Sequence, residues 1–284
     1  MADLMQGKTV IVTGATAGIG FETARALAAM GAQVVIISRS PERCQMAAER
    51  IKSETGNSKV HFIAADLSYT AGIQDAAYQF KRHFTRLDVL VNNAGAFFDK
   101  RLVNTDGYEM TFALNHLNYF LLTHLLLDVL KTSSPARVVN VASDAHRGVT
   151  LNFDDLQNEK NYQGFRAYGQ SKLCNVLFTY ELARRLEGTR VTANALHPGF
   201  VATNFATNNG PLYALGMRLM SFLAKSPQKG AQTSIYLASA PEVEGVNGKY
   251  FTDSRPVDSS PASYDRTSAE RLWQTSLSLI GQAM

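Results

Sequence analysis

The stretch Thr13-Gly14-Ala15-Thr16-Ala17-Gly18-Ile19-Gly20 constrains this chain more than any other part of it. It follows a short β-branched run, Thr9–Val12, that reads as a buried strand. It opens an Ala- and Leu-rich segment, Phe21–Met30, that reads as a helix capped by Gly31. Glycines between a strand and a helix permit a tight turn and let backbone N–H groups approach a pyrophosphate. The helix N-terminus adds partial positive charge at the same place. The spacing, G-x-x-x-G-x-G, differs from the more widespread G-x-G-x-x-G fingerprint.

The alternation begun there continues along the chain. Strands are expected at Val34–Ile37, Val60–Ala64, Asp88–Val91, Arg137–Val141, Arg190–Ala195 and Lys249–Phe251. Helices are expected at Pro41–Lys52, Ala71–Phe84, Thr111–Leu130, Tyr168–Leu186 and Gln228–Ala238. Short apolar strands alternating with helices imply a parallel sheet covered on both faces, which binds ligands at the carboxyl ends of its strands. No linker interrupts the pattern over 284 residues, so a single α/β domain is expected. The Ser- and Pro-rich tail Thr252–Tyr264 reads as surface loop.

Polar and glycine-rich residues gather where such a sheet binds. The second strand ends at Ser38-Arg39-Ser40, where a carboxylate would hold a ribose 2′-hydroxyl. Arg39 instead suits a 2′-phosphate, with Ser38 or Ser40 adding a hydrogen bond, which favours NADP(H) over NAD(H). The alternative for Arg39 is a solvated charge near a helix start. After the third strand, Asp66 can accept from an adenine amino group with Leu67 beside the ring. Asn92-Asn93-Ala94-Gly95 ends the fourth strand with residues small enough for close passage to a cofactor. Ordinary turn chemistry explains these last residues equally well.

Tyr168 and Lys172 lie four residues apart on one helix face. A neighbouring ammonium is expected to stabilise the phenolate and to make the pair an acid–base couple. Ser143, just past a strand, can bond a substrate oxygen. Asn115, in the long helix, can hold a water near Lys172. Each feature alone has a structural explanation; their order behind the glycine loop gives them weight.

In this combination the chain resembles the short-chain dehydrogenase/reductase family along nearly its whole length. The resemblance rests on Thr13–Gly20, Asn92–Gly95, Asn115, Ser143, Tyr168 with Lys172, and Pro198-Gly199 with Thr203. It implies a Rossmann-type, doubly wound, seven-stranded parallel sheet in a single domain. It implies that Asn115, Ser143, Tyr168 and Lys172 are catalytic and that Lys172 holds the nicotinamide ribose. Pro198, Gly199, Val201 and Thr203 would then line the nicotinamide pocket. Expected cofactor contacts are therefore Gly14, Thr16, Gly18, Ile19, Gly20, Ser38, Arg39, Asp66, Leu67, Asn93, Ala94, Gly95, Tyr168, Lys172, Pro198, Gly199, Val201 and Thr203. Asn115-His116-Leu117, Ser143-Asp144-Ala145-His146 and His197-Pro198-Gly199 point to the retinol dehydrogenase-like branch. Membrane-bound retinol enzymes of this type carry a hydrophobic N-terminal anchor, whereas this sequence starts almost directly at the first strand. Light-dependent protochlorophyllide reductases share part of the pattern, including the position of Cys174, but have extra sequence before the active-site Tyr.

The resemblance implies a substrate lid around 205–225; that segment's Leu, Met, Tyr and Phe content would give it an apolar wall, so the expected substrate is a lipophilic aldehyde, ketone or alcohol. A core helix or a membrane-touching surface helix are the alternatives for that segment. A non-catalytic NADP(H)-binding redox sensor or scaffold is the rival function. The formal charge of +4 comes without any Lys/Arg run, so no nucleic-acid partner is expected. The most apolar run, Phe120–Leu130, is broken by His124 and Asp128 and is too short to span a bilayer. Two cysteines without metal spacing and an N-terminus unlike a signal peptide suggest a cytoplasmic protein. Association into a homo-oligomer through Thr111–Leu130 and Tyr168–Leu186 is a family expectation.

Overall fold

The computed structural model describes residues 3–201 and 224–281. Eight strands form one sheet in the order β3-β2-β1-β4-β5-β6-β7-β8. They are β1 (Thr9–Thr13), β2 (Gln33–Ser38), β3 (Val60–Ala64), β4 (Val89–Asn92), β5 (Ala136–Val141), β6 (Val191–His197), β7 (Tyr250–Thr252) and β8 (Arg255–Val257). Seven strands run parallel, as expected. The eighth pairs antiparallel with β7, inside the tail that the sequence suggested was loop. The strand order reverses direction between β1 and β4, which opens a crevice at their carboxyl ends.

The sheet is buried on both faces because its central strands are apolar at successive positions: Val10, Ile11 and Val12 have no exposed surface. One core joins Ile11, Val35 and Leu90 to Phe80 and Leu122. The other joins Val10, Val12 and Val34 to Leu27 and Ile51. Helix α1 (Gly18–Ala29) ends with Gly31 at φ +88°, the left-handed position expected of it. Helix α2 (Pro41–Thr55) starts with Pro41 after Ser40, whose side chain accepts from the Arg43 N–H. Helix α3 (Thr70–His83) follows β3.

Two departures from the sequence reading bear on the site. The long helix expected at Thr111–Leu130 is not uniform. A helical turn, Met110–Phe112, passes into a π-helical turn, Ala113–Leu117, before helix α4 (Asn118–Thr132). The π turn carries Asn115, and such bulges rotate a side chain out of the regular helical register. Helix α5 (Gly164–Arg185) starts one turn earlier than expected and carries Tyr168 and Lys172. Helix α6 (Pro227–Ser239) covers α1.

The second departure is a C-terminal helix, α7 (Arg266–Leu279), that the sequence reading did not assign. It buries Ala269, Leu272, Trp273 and Ser276 against the outer faces of α4 and α5. The Trp273 ring lies 4.9 Å from Phe120 and 6.0 Å from Phe178, and the Ser276 hydroxyl lies 2.9 Å from His116 Nε2. Part of the surface expected to join two copies, chiefly on α5, thus carries the chain's own last helix. Among the described residues, no helix is long and apolar enough to cross a membrane.

Candidate active site

A cleft of about 1610 Å³ runs across the carboxyl edge of β1, β2, β4, β5 and β6. Its volume exceeds that of an ordinary small-ligand pocket, and its length takes in both the glycine loop and the Tyr168 region. Gly14, Gly18, Ile19, Gly20, Ser38, Arg39, Asp66, Leu67, Asn93, Ala94, Gly95, Ser143, Tyr168, Lys172, Pro198, Gly199 and Val201 all line it. Thr16 sits in the same loop but not on the cleft wall, so the loop reaches the cleft through its other residues. Asn115 is fully buried behind the wall. Thr203 and residues 205–223 of the expected lid lie outside the described residues.

The glycine loop is held from behind by the end of β4. Thr13 Oγ1 accepts from the N–H groups of Asn93 and Ala94, each at 2.9 Å. Asn93 Nδ2 donates to the Thr13 carbonyl at 2.8 Å. Gly14 has φ +65°, and a Cβ there would stand 2.9 Å from Ala94 Cα. A Cβ on Gly20 would stand 2.5 Å from both Asn93 Nδ2 and the Gly14 carbonyl. Only glycine fits this interlock, and Asn93 acts as its brace. At its open end, α1 begins with Ala17 as N-cap and no side-chain capping bond. The first N–H groups of the helix therefore face the cleft without a side-chain acceptor, which suits a pyrophosphate.

At the adenosine end, Arg39 and Arg43 both line the cleft. Neither guanidinium has a carboxylate partner among the ion pairs of the described residues. Arg43 was missed from sequence, although its four-residue spacing from Arg39 was visible there. Asp66 Oδ1 accepts from Ser68 N–H at 2.9 Å and from the Ser68 hydroxyl at 2.7 Å, an Asx-type turn that fixes the carboxylate.

At the other end, Ser143 follows β5 and Tyr168 stands on α5, with the Ser143 hydroxyl placed to oppose the rise that burial imposes on the phenol. Lys172 Nζ donates to the Val141 carbonyl at 2.9 Å and stands 5.6 Å from the centre of the Tyr168 ring. Asn115 Oδ1 accepts from Ala96 N–H at 2.9 Å, and its Nδ2 donates to the Ala96 carbonyl and to Ser171 Oγ, both at 3.0 Å. Both amide protons and one oxygen lone pair are therefore committed to protein partners, leaving one lone pair for a water. Asn115 is first a brace between the β4 loop and α5.

Burial controls the titration here. It pushes the Lys172 ammonium down to about 7. It pushes the Tyr168 phenol well above its ordinary value, and the Ser143 hydroxyl opposes that rise. The net shift of Tyr168 is therefore upward, opposite to the lowering expected from a neighbouring ammonium, because burial is the largest influence on the phenol and also disfavours the Lys172 charge. The phenol keeps its proton and is poised as an acid.

The residues fit a dinucleotide: the glycine cradle admits no Cβ, an uncapped helix start faces the cleft, and two unpaired guanidinium groups stand where the second strand ends. Comparison with known proteins agrees. Residues 8–212 match the short chain dehydrogenase family. The chain is 47% identical to retinol dehydrogenase 12 of Mus musculus over 275 residues, covering 97% of this chain and 87% of that one. It is 42% identical to retinol dehydrogenase 14 of Homo sapiens over 294 residues, covering 98% and 88%. Its fold resembles the crystal structure of a short chain dehydrogenase from Burkholderia cenocepacia J2315 in complex with NADP (TM-score 0.69, 27% identity, 87% of this chain and 96% of that one). The chain belongs to the short chain dehydrogenase family and is an oxidoreductase of that class.

Proposed function

We propose that this enzyme interconverts a carbonyl and an alcohol on a lipophilic, retinoid-like substrate, with NADP(H) as its cofactor. The observation that carries this reading is that Ser143, Tyr168 and Lys172, with Lys172 Nζ 5.6 Å from the Tyr168 ring, line one cleft that continues to Arg39 and Arg43. When bound, the cofactor supplies or takes up the hydride. In reduction, Tyr168 gives its proton to the carbonyl oxygen while Ser143 donates a hydrogen bond to that oxygen. In oxidation the same phenol must return as an anion, which the Ser143 hydroxyl and a protonated Lys172 favour. Lys172, oriented by the Val141 carbonyl, would hold the nicotinamide ribose, and Arg39 with Arg43 would hold the 2′-phosphate.

The substrate class rests on the mouth of the cleft and on the relatives. Phe97, Leu102, Phe165 and Phe200 line it, and the last three are exposed. The Phe97 and Phe165 rings meet at 4.8 Å, and Phe97 also meets the Tyr168 ring edge-on at 6.2 Å. An apolar aromatic wall beside the acid suits an extended hydrocarbon carrying a terminal aldehyde. The relatives named above are retinol dehydrogenases. Cys44 and Cys174 are buried free thiols and fit a reducing compartment such as the cytoplasm. The test is oxidation of NADPH and of NADH across a panel from all-trans-retinal to small ketones. Turnover greatest with NADPH and long apolar aldehydes supports the reading. Tight NADPH binding without turnover of any carbonyl would favour a redox sensor or scaffold.

A further inference from the structure

Ser143-Asp144-Ala145-His146 contains a residue that the mechanism leaves unused. His146 has no exposed surface and is not on the cleft wall, although Ser143, Asp144 and Ala145 are. Its ring is nevertheless bonded at both nitrogens. Nδ1 lies 2.7 Å from the Ser143 carbonyl oxygen, and Nε2 lies 3.0 Å from the backbone N–H of Ser260. A carbonyl only accepts and a backbone N–H only donates. The proton must therefore sit on Nδ1, with Nε2 a bare acceptor. The geometry fixes one neutral tautomer.

We propose that His146 is a positioning residue for Ser143: its Nδ1–H holds the serine's backbone carbonyl while its Nε2 anchors the turn to the C-terminal segment. The inference rests on the catalytic reading of Ser143 given above. Ser143 is the N-cap of a single 3-10 turn, Asp144–His146, and such a turn has little rigidity of its own. The Ser143 carbonyl accepts twice from His146, from its backbone N–H at 3.1 Å and from its ring. Asp144 N–H donates to His197 Nδ1 at 3.2 Å, and Tyr250 donates to Asp144 Oδ1 at 3.1 Å. The end of β6, the start of β7 and the segment after β8 thus all grip this turn.

The opposite side of the turn meets the helix of the acid. A Cβ on Gly169, next to Tyr168, would stand 2.6 Å from the Ala145 carbonyl. Helix α5 therefore rests directly on the turn, and a shift of the turn changes the Ser143–Tyr168 separation. His146 sets that position from behind without touching the substrate. Displacements near 1 Å of a positioning group cost about 100-fold in rate.

Three variants of the full chain separate the ring's two contacts. His146→Asn keeps a donor near Nδ1 and loses the Nε2 acceptor, His146→Gln reaches an acceptor toward Ser260 and loses the Nδ1 donor, and His146→Leu loses both. With NADPH and all-trans-retinal, His146→Leu and His146→Gln are expected to lose about 10- to 100-fold in kcat. His146→Asn should recover most of that loss, and NADPH affinity should stay near the wild-type value in all three, which also shows that each is folded. Heteronuclear NMR of the imidazole nitrogens should find the proton of His146 on Nδ1. Equal kcat losses in His146→Asn and His146→Leu, or a proton on Nε2, overturn the proposal. Loss of turnover in Ser143→Ala with none in His146→Leu overturns it while leaving the functional reading intact; a wild-type enzyme inactive on every carbonyl overturns both.

Discussion

Asn115→Ala separates a brace from a mere lining of a water path. The wild-type carboxamide makes three protein hydrogen bonds, two to the backbone of Ala96 and one to Ser171 Oγ. Each such bond contributes about 0.5–1.5 kcal/mol, and a buried partner left unsatisfied costs about 1–3 kcal/mol. Ser171 Oγ still donates to the Tyr168 carbonyl at 2.7 Å, and Ala96 is partly exposed to the cleft, so water relieves part of the second cost. The loss should come to about 2–4 kcal/mol. For a domain of this size each kcal/mol moves the melting midpoint by about 2–4 °C, so a fall of roughly 4–16 °C is expected. Calorimetry on the ligand-free protein reads it directly. Asn115→Asp should fall as far, because its carboxylate would face the Ala96 carbonyl without a proton to donate. A midpoint unchanged in both variants refutes the brace and returns Asn115 to the solvent-path role alone.

Other parts of the account are checked by separate measurements. Arg39→Ala and Arg43→Ala should each weaken NADPH by about 10-fold, and the double variant more, while NADH affinity stays near wild type; equal losses for both cofactors would remove these side chains from the 2′-phosphate. Lys172 has a folded value of about 7 against 10.5 when free, so the unfolded chain binds the extra proton between those values. The stability of the ligand-free wild type should therefore rise relative to Lys172→Met as the pH goes from about 7 to about 10, and parallel urea titrations would reveal no such divergence if Lys172 were solvated. Trp273→Ala should destabilise by about 3–5 kcal/mol and promote self-association, because it uncovers Phe120 and Phe178; analytical ultracentrifugation finding an unchanged species, with an unchanged urea midpoint, would contradict that role for α7.

What the sequence disclosed and what it hid follow from the range of the interactions. Runs such as Val10–Val12 and Val34–Ile37 show a doubly covered sheet because every residue in them is apolar. Glycine positions such as Gly14 and Gly20 were legible as a phosphate loop, but their reason was not. It lies in Asn93, far along the chain, whose amide fills the space a Cβ would need. The π turn at Ala113–Leu117 was invisible because one inserted residue barely changes an apolar pattern. Helix α7 was overlooked because Thr, Ser and Gln dilute a narrow stripe of Ala269, Leu272, Trp273 and Ser276, although the spacing of that stripe is helical. The upward direction of the Tyr168 shift was not legible, since helix spacing gives proximity but not desolvation, and desolvation is the largest influence on both Tyr168 and Lys172.

The central claim is that Tyr168 delivers the proton in a cleft built around NADP(H). Its most direct measurement is single-turnover oxidation of NADPH by all-trans-retinal in Tyr168→Phe beside wild type, together with NADPH affinity. General acid catalysis contributes about 10²- to 10⁴-fold, so the rate should drop by that factor with affinity unchanged. A Tyr168→Phe enzyme that oxidises NADPH at the wild-type rate would contradict the account.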